Sequence, residues 1–100
     1  MTALPADVEG WLTEAQGRRL HTAASAVAPA GRVVEIGSFR GRSAIVLAGA
    51  GVDEVVCIDP HAGSDRGPQE IAADADRGEA DVRTFHANLQ RAGVDERIRH

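Results

Sequence analysis

Apolar and polar positions alternate along the chain in a way that predicts a short series of elements. Leu12, Ala15, Leu20, Ala23, Ala24 and Val27 recur near one face at the helical period. Thr13-Glu14-Ala15-Gln16 is a capping box, with Thr13 as N-cap and Gln16 reaching back to its backbone. Pro29 and Gly31 stop this leading helix, which is expected at about 13–28. "RVVEI", residues 32 to 36, is short, β-branched and bounded by glycines, the pattern of a buried strand. "RSAIVLAGA" follows as a helix that is apolar nearly all round and therefore buried. "EVVCID", residues 54 to 59, predicts a second buried strand.

Two near-continuous apolar strands joined by a helix predict a βαβ unit, paired in parallel with a right-handed crossover. "PHAGSDRGP", residues 60 to 68, is a polar loop. The next helix is clearest over 79–92, where Val82, Phe85, Leu89 and Ala92 share a face. Gly93 and Val94 predict a Schellman ending, with Val94 packing back on Leu89. Ile98 begins a third strand. The fold class is therefore α/β with a parallel sheet. A doubly wound sheet needs more strands and cover on both faces. The chain is thus expected to be the N-terminal part of a longer domain, truncated after the start of its third strand. A small domain that completes its sheet by pairing with a second copy is the competing expectation.

Composition narrows the function classes. One hundred residues make one small domain at most. Aromatic residues are only 3%, so Val, Ile, Leu and Ala must build the core. Net charge is -4 and no basic face stands out, which argues against a nucleic-acid partner. The single cysteine, Cys57, excludes a disulfide framework and a multi-cysteine metal site, and reads as a small core residue. No pair among His21, His61, His86 and His100 has metal-ligand spacing. No apolar run approaches the ~20 residues that cross a bilayer. The N-terminus lacks the pattern of a secretory signal, so a cytoplasmic protein is expected.

Candidate chemistry concentrates in "VVEIGSFRGRSAIVLA", residues 33 to 48. A strand, a glycine turn and a helix start offer close backbone approach and unpaired N–H groups to an anion. Dinucleotide binding would need G-x-G-x-x-G, but Phe39 stands where the second glycine belongs. A P-loop would need one more residue and Lys in place of Arg42. The pattern present is E-x-G-x-x-x-G, made by Glu35, Gly37 and Gly41. It resembles motif I of class I S-adenosylmethionine-dependent methyltransferases. "GWLTEAQGRRLHTAA", "IDPH" and "TFHANLQRAGVDERI" look like the bacterial branch called methyltransferase domain 24, so the resemblance spans roughly residues 10–100.

The resemblance implies a Rossmann-like methyltransferase fold, S-adenosylmethionine as cofactor, and a small-molecule acceptor methylated at oxygen. It implies that Asp59, 22 positions after Gly37, grips the ribose hydroxyls. Glu35 would lie near the methionine amino group, or else pair with Arg40 or Arg32. Gly37 and Gly41 would shape the turn, with Ser38 and Phe39 touching the cofactor through their backbone. Ser43 would meet the methionine carboxylate, or simply begin the helix. Arg40 and Arg42 would be solvated, or meet that carboxylate too. His61 would border the adenine or the acceptor, or be an exposed loop residue. Asn88 and Phe85 read as packing, and Asp65, Arg66 and Glu70 carry no assigned role. The acceptor site, any general base and any metal ligands would come from later strands. Two alternatives stand beside the enzyme: a non-catalytic adenosyl or nucleotide binder, and an inactive fragment.

Overall fold

The computed structural model describes residues 5–27, 29–63 and 74–100. Three helices and three short strands alternate along it. Helix α1 runs Glu14–Ser25, strand β1 Arg32–Ile36, helix α2 Arg42–Gly49, strand β2 Glu54–Ile58, helix α3 Ala75–Ala92 and strand β3 Ile98–Arg99. The strands lie in the order β1-β2-β3 and pair in parallel. The α/β parallel sheet expected from the pattern is present. No helix among the described residues is long and apolar enough to cross a membrane.

Local chemistry explains the helix boundaries. The capping box at Thr13 and Gln16 forms in both directions, and α1 starts at Glu14. Helix α1 ends at Ser25, earlier than expected, and Ala28 lies outside the described residues. Helix α3 starts at Ala75, ahead of the stretch over 79–92 where its pattern is clearest, because the Asp74 carboxylate caps it by accepting from the Arg77 N–H. Gly78 sits inside this helix because the chain beside it leaves no room for a side chain. A Cβ there would lie 2.0 Å from the His61 carbonyl oxygen. The Schellman ending forms as expected, with the Val94 N–H on the Leu89 carbonyl at 3.1 Å and the Gly93 N–H on Gln90 at 3.0 Å.

The core gathers on one face of the sheet. Ala24 of α1, Ala44, Ile45, Leu47 and Ala48 of α2, Val55 and Cys57 of β2, and Phe85 and Leu89 of α3 form one cluster. Val8, from the segment ahead of α1, joins it. The opposite face carries Val34, Ile36 and Ile58, which are 57%, 84% and 52% exposed. This corrects the expectation of fully buried strands. The apolar pattern of a parallel strand suits cover on both faces. Among the described residues, helices pack against only one. At the start of the sheet Glu54 bridges Arg32 at 2.6 Å and Arg99 at 2.9 Å, tying the three strands together.

Candidate functional site

The site grows from the turn between β1 and α2. Gly37 leaves β1 at φ +85° and Gly41 enters α2 at φ +93°, values that suit glycine. Gly41 is needed twice over. A Cβ there would approach Leu89 and Phe85 of α3 to 3.3 Å. The close neighbour is thus α3. Gly37 differs: among the described residues a Cβ there would meet nothing within 4 Å, so these residues leave the turn open at that point. Phe39 also has positive φ, +45°, and its ring packs against Trp11 at 5.1 Å between centroids.

What holds Phe39 in this conformation is Asp59, at the end of the neighbouring strand. Asp59 Oδ2 accepts from the N–H groups of Ser38 at 2.9 Å and Phe39 at 2.8 Å. Its Oδ1 accepts from the His61 N–H at 2.8 Å. Burial opposes the charge, yet these three donors, with His61 nearby, hold the carboxyl below its ordinary range. Ser38 and Phe39 therefore spend their N–H groups on Asp59, a use that spacing alone did not reveal. The stitching runs both ways, since the His61 ring Nε2 donates to the Phe39 carbonyl at 2.6 Å. A carbonyl can only accept, so Nε2 carries the proton. The other ring nitrogen, Nδ1, is buried without a hydrogen-bond partner among the described residues. His61 is 8% exposed, which corrects its reading as an exposed loop residue.

On the other side of the turn, Glu35 points to the helix-covered face. Its carboxylate accepts from the Ser43 hydroxyl in the first turn of α2 and from the Cys57 thiol at 3.8 Å. Cys57 is its register partner on β2, so strand pairing brings the two together. Burial pushes the Glu35 carboxyl up, the Ser43 and Cys57 hydrogen bonds pull it back, and the Asp59 charge raises it further. Burial, then the Glu35 charge, pushes the Cys57 thiol up to about 12, so it remains a neutral donor. Neither arginine considered for Glu35 reaches it, since Arg32 pairs with Glu54.

Arg40 and Arg42 are not solvated. Arg40 pairs with Asp81 of α3 at 3.0 Å and Glu9 at 2.6 Å. Its carbonyl accepts from Asn88 at 2.9 Å, so Asn88 helps hold the turn. Arg42 donates to the carbonyls of Leu12 at 3.0 Å, Pro5 at 2.9 Å and Val8 at 2.6 Å. Both guanidinium groups thus lash residues 5–12 across the glycine turn. Sequence reasoning missed this wall of the site. The available signal was a chain whose eleven basic residues are all Arg, the side chain with a multidentate fork.

Two cavities flank the turn, and Gly37 and Phe39 line both. The larger, about 860 Å³, lies between residues 9–12, α1 and the turn, and Ser43 borders it. The smaller, about 230 Å³, is bordered by Asp59, Pro60 and His61. The N-cap of α2 is Gly41, which has no side chain to cap the first-turn N–H groups, and these remain for a ligand. Of the expected site residues, Glu35 and Ser43 are brought together on one side of the turn, and Asp59 and His61 on the other. Asp65, Arg66 and Glu70 lie outside the described residues. Among the described residues there is no cluster suited to a metal ion.

No family model and no curated protein matches this chain. Among solved structures, it is similar to the O-methyltransferase TomG from Streptomyces achromogenes, involved in tomaymycin synthesis and solved in complex with SAM. Identity is 25% and the TM-score 0.59. The match covers 93% of this chain and 34% of that one, so the chain spans about a third of its neighbour's length. The parallel sheet and its flanking helices have the Rossmann-like methyltransferase fold.

Proposed function

We propose that this chain carries the methyl-donor half of an S-adenosylmethionine-dependent methyltransferase acting on a small molecule at oxygen. The observation that carries the reading is the pairing of two acids across one open glycine turn. Glu35 lies to one side, Asp59 to the other, and Gly37 faces free space between them. The similarity to a SAM-bound O-methyltransferase supports the same reading.

The residues present suit an adenosyl amino acid. When bound, that group supplies a methyl on a positively charged sulfur, activated for transfer to a nucleophile. Glu35 offers a carboxylate to the ammonium, while Ser43 and the uncapped start of α2 suit the carboxylate end. Asp59 would hold the ribose hydroxyls with reduced capacity. An ionised carboxylate has about four lone-pair positions, and three are already committed to backbone N–H groups. The two acids flanking the turn suit a ligand bearing two positive centres. The protein's own task is to hold the donor in line with the acceptor.

Calorimetric titration of the folded chain with S-adenosylmethionine and S-adenosylhomocysteine tests the reading. Binding is expected, and Gly37→Val should abolish it by filling the open space at the turn. A folded chain that takes up neither compound refutes the proposal.

A further inference from the structure

The larger cavity is more than the seat of an amino-acid tail. Its volume of about 860 Å³ falls at the upper end of the range for small-molecule pockets. Its apolar wall is made by Leu12, Ala15 and Leu20, with the rings of Trp11 and Phe39 forming a corner tilted by 44°. Trp11 is 61% exposed, an unusual position for an indole, and it presents both a flat face and an N–H. That N–H makes no hydrogen bond among the described residues.

The charges on the walls are unequal. The one acid, Glu9, is paired with Arg40, which is paired again with Asp81. Arg42 is held by three carbonyls, whose dipoles leave its charge uncompensated by any carboxylate. Arg19, one turn beyond Ala15 on the same face of α1, makes no ion pair among the described residues. The cavity therefore combines an aromatic corner, an apolar floor and two cations, Arg19 and Arg42, that pair with no acid among the described residues.

We propose that this cavity binds a planar aromatic carboxylate, with its ring against Trp11 and Phe39 and its carboxylate on Arg19. Resting on the methyltransferase reading, this names the acceptor class as a hydroxylated aromatic acid. Arg19 is exposed and makes no ion pair among the described residues, so its replacement leaves the core cluster untouched. An arginine–carboxylate contact beside an apolar wall confers selectivity for the charged ligand over a neutral isostere.

The test uses 4-hydroxybenzoate and its neutral isostere 4-hydroxybenzyl alcohol. Trp11 is the only tryptophan, so its fluorescence reports on this cavity alone. The acid should change that emission and bind about tenfold more tightly than the alcohol. Arg19→Gln should remove this preference and leave the alcohol unaffected, while Arg19→Lys restores part of it. Equal affinity for acid and alcohol, or an unchanged preference in Arg19→Gln, overturns the proposal. The titration is then repeated with S-adenosylhomocysteine present. Simultaneous binding supports an acceptor site, whereas displacement of the acid shows that the cavity belongs to the donor and overturns it. Because the first titration needs no donor, failure of the methyltransferase reading is scored separately.

Discussion

Asp59→Asn is the sharpest perturbation of the glycine turn. The change preserves shape but removes the charge and converts one acceptor oxygen into an NH₂ donor. If the amide oxygen stays on the Ser38 and Phe39 N–H groups, the NH₂ faces the N–H of His61, donor against donor. Hydrogen bonds to a charged group contribute about 1.5–3 kcal/mol and neutral ones about 0.5–1.5 kcal/mol. Two bonds therefore weaken by roughly 1 kcal/mol each, and the third gives way to an unsatisfied donor at about 1–3 kcal/mol. The side chain is 15% exposed, so water relieves part of the loss, and about 2–4 kcal/mol is expected. Urea unfolding at neutral pH measures it. The Asp59 carboxyl lies below its ordinary 3.8 in the folded state, so its contribution is complete above that value and is lost as pH falls through the folded value. The gap between parent and variant should thus be widest near neutrality and close in acid. A gap under about 0.5 kcal/mol, or one that persists unchanged in acid, would refute the reasoning.

Glu35 has the opposite sign. Its carboxyl is raised above 4.5, so the folded chain binds that proton more tightly than the unfolded chain. Stability from this group declines as pH rises from 4.5 through the folded value, then levels. Glu35→Gln removes the buried charge and keeps an acceptor for Ser43. At neutral pH it should melt no lower than the parent, with the decline absent from a series of thermal melts. Gly41→Ala should cost about 1–3 kcal/mol, through its positive φ and the contacts with Leu89 and Phe85. Gly37→Ala should cost less, about 1 kcal/mol, because only backbone strain applies. Denaturant unfolding of the pair checks that order. Arg42→Ala removes three hydrogen bonds to the leading segment. Hydrogen exchange should then accelerate about tenfold or more over residues 6–12 and not in β2.

How much of this was legible beforehand follows from the range of each interaction. The capping box, the Schellman ending and the glycine spacing are contacts between residues within a few positions of each other. Their geometry is written in adjacent letters, and each formed as read. Strand identity and parallel pairing followed from apolar runs joined by a helix, because a parallel pair needs a crossover. The placement of Glu35 and Asp59 at one turn was legible for the same reason, since adjacent parallel strands end side by side.

Chain sequence by itself therefore determined the elements, their order and the two acids that flank the turn. Tertiary structure decided where the polar groups went. Asp59 spends its carboxylate on the turn's own N–H groups, Cys57 donates to Glu35, and Arg42 reaches back thirty residues to the Leu12 carbonyl. Each of these pairings joins positions far apart in sequence, and several partners are backbone atoms that every residue possesses. No side-chain pattern distinguishes such an atom from its neighbours. Only the folded chain, by bringing donor and acceptor within reach, selects among them.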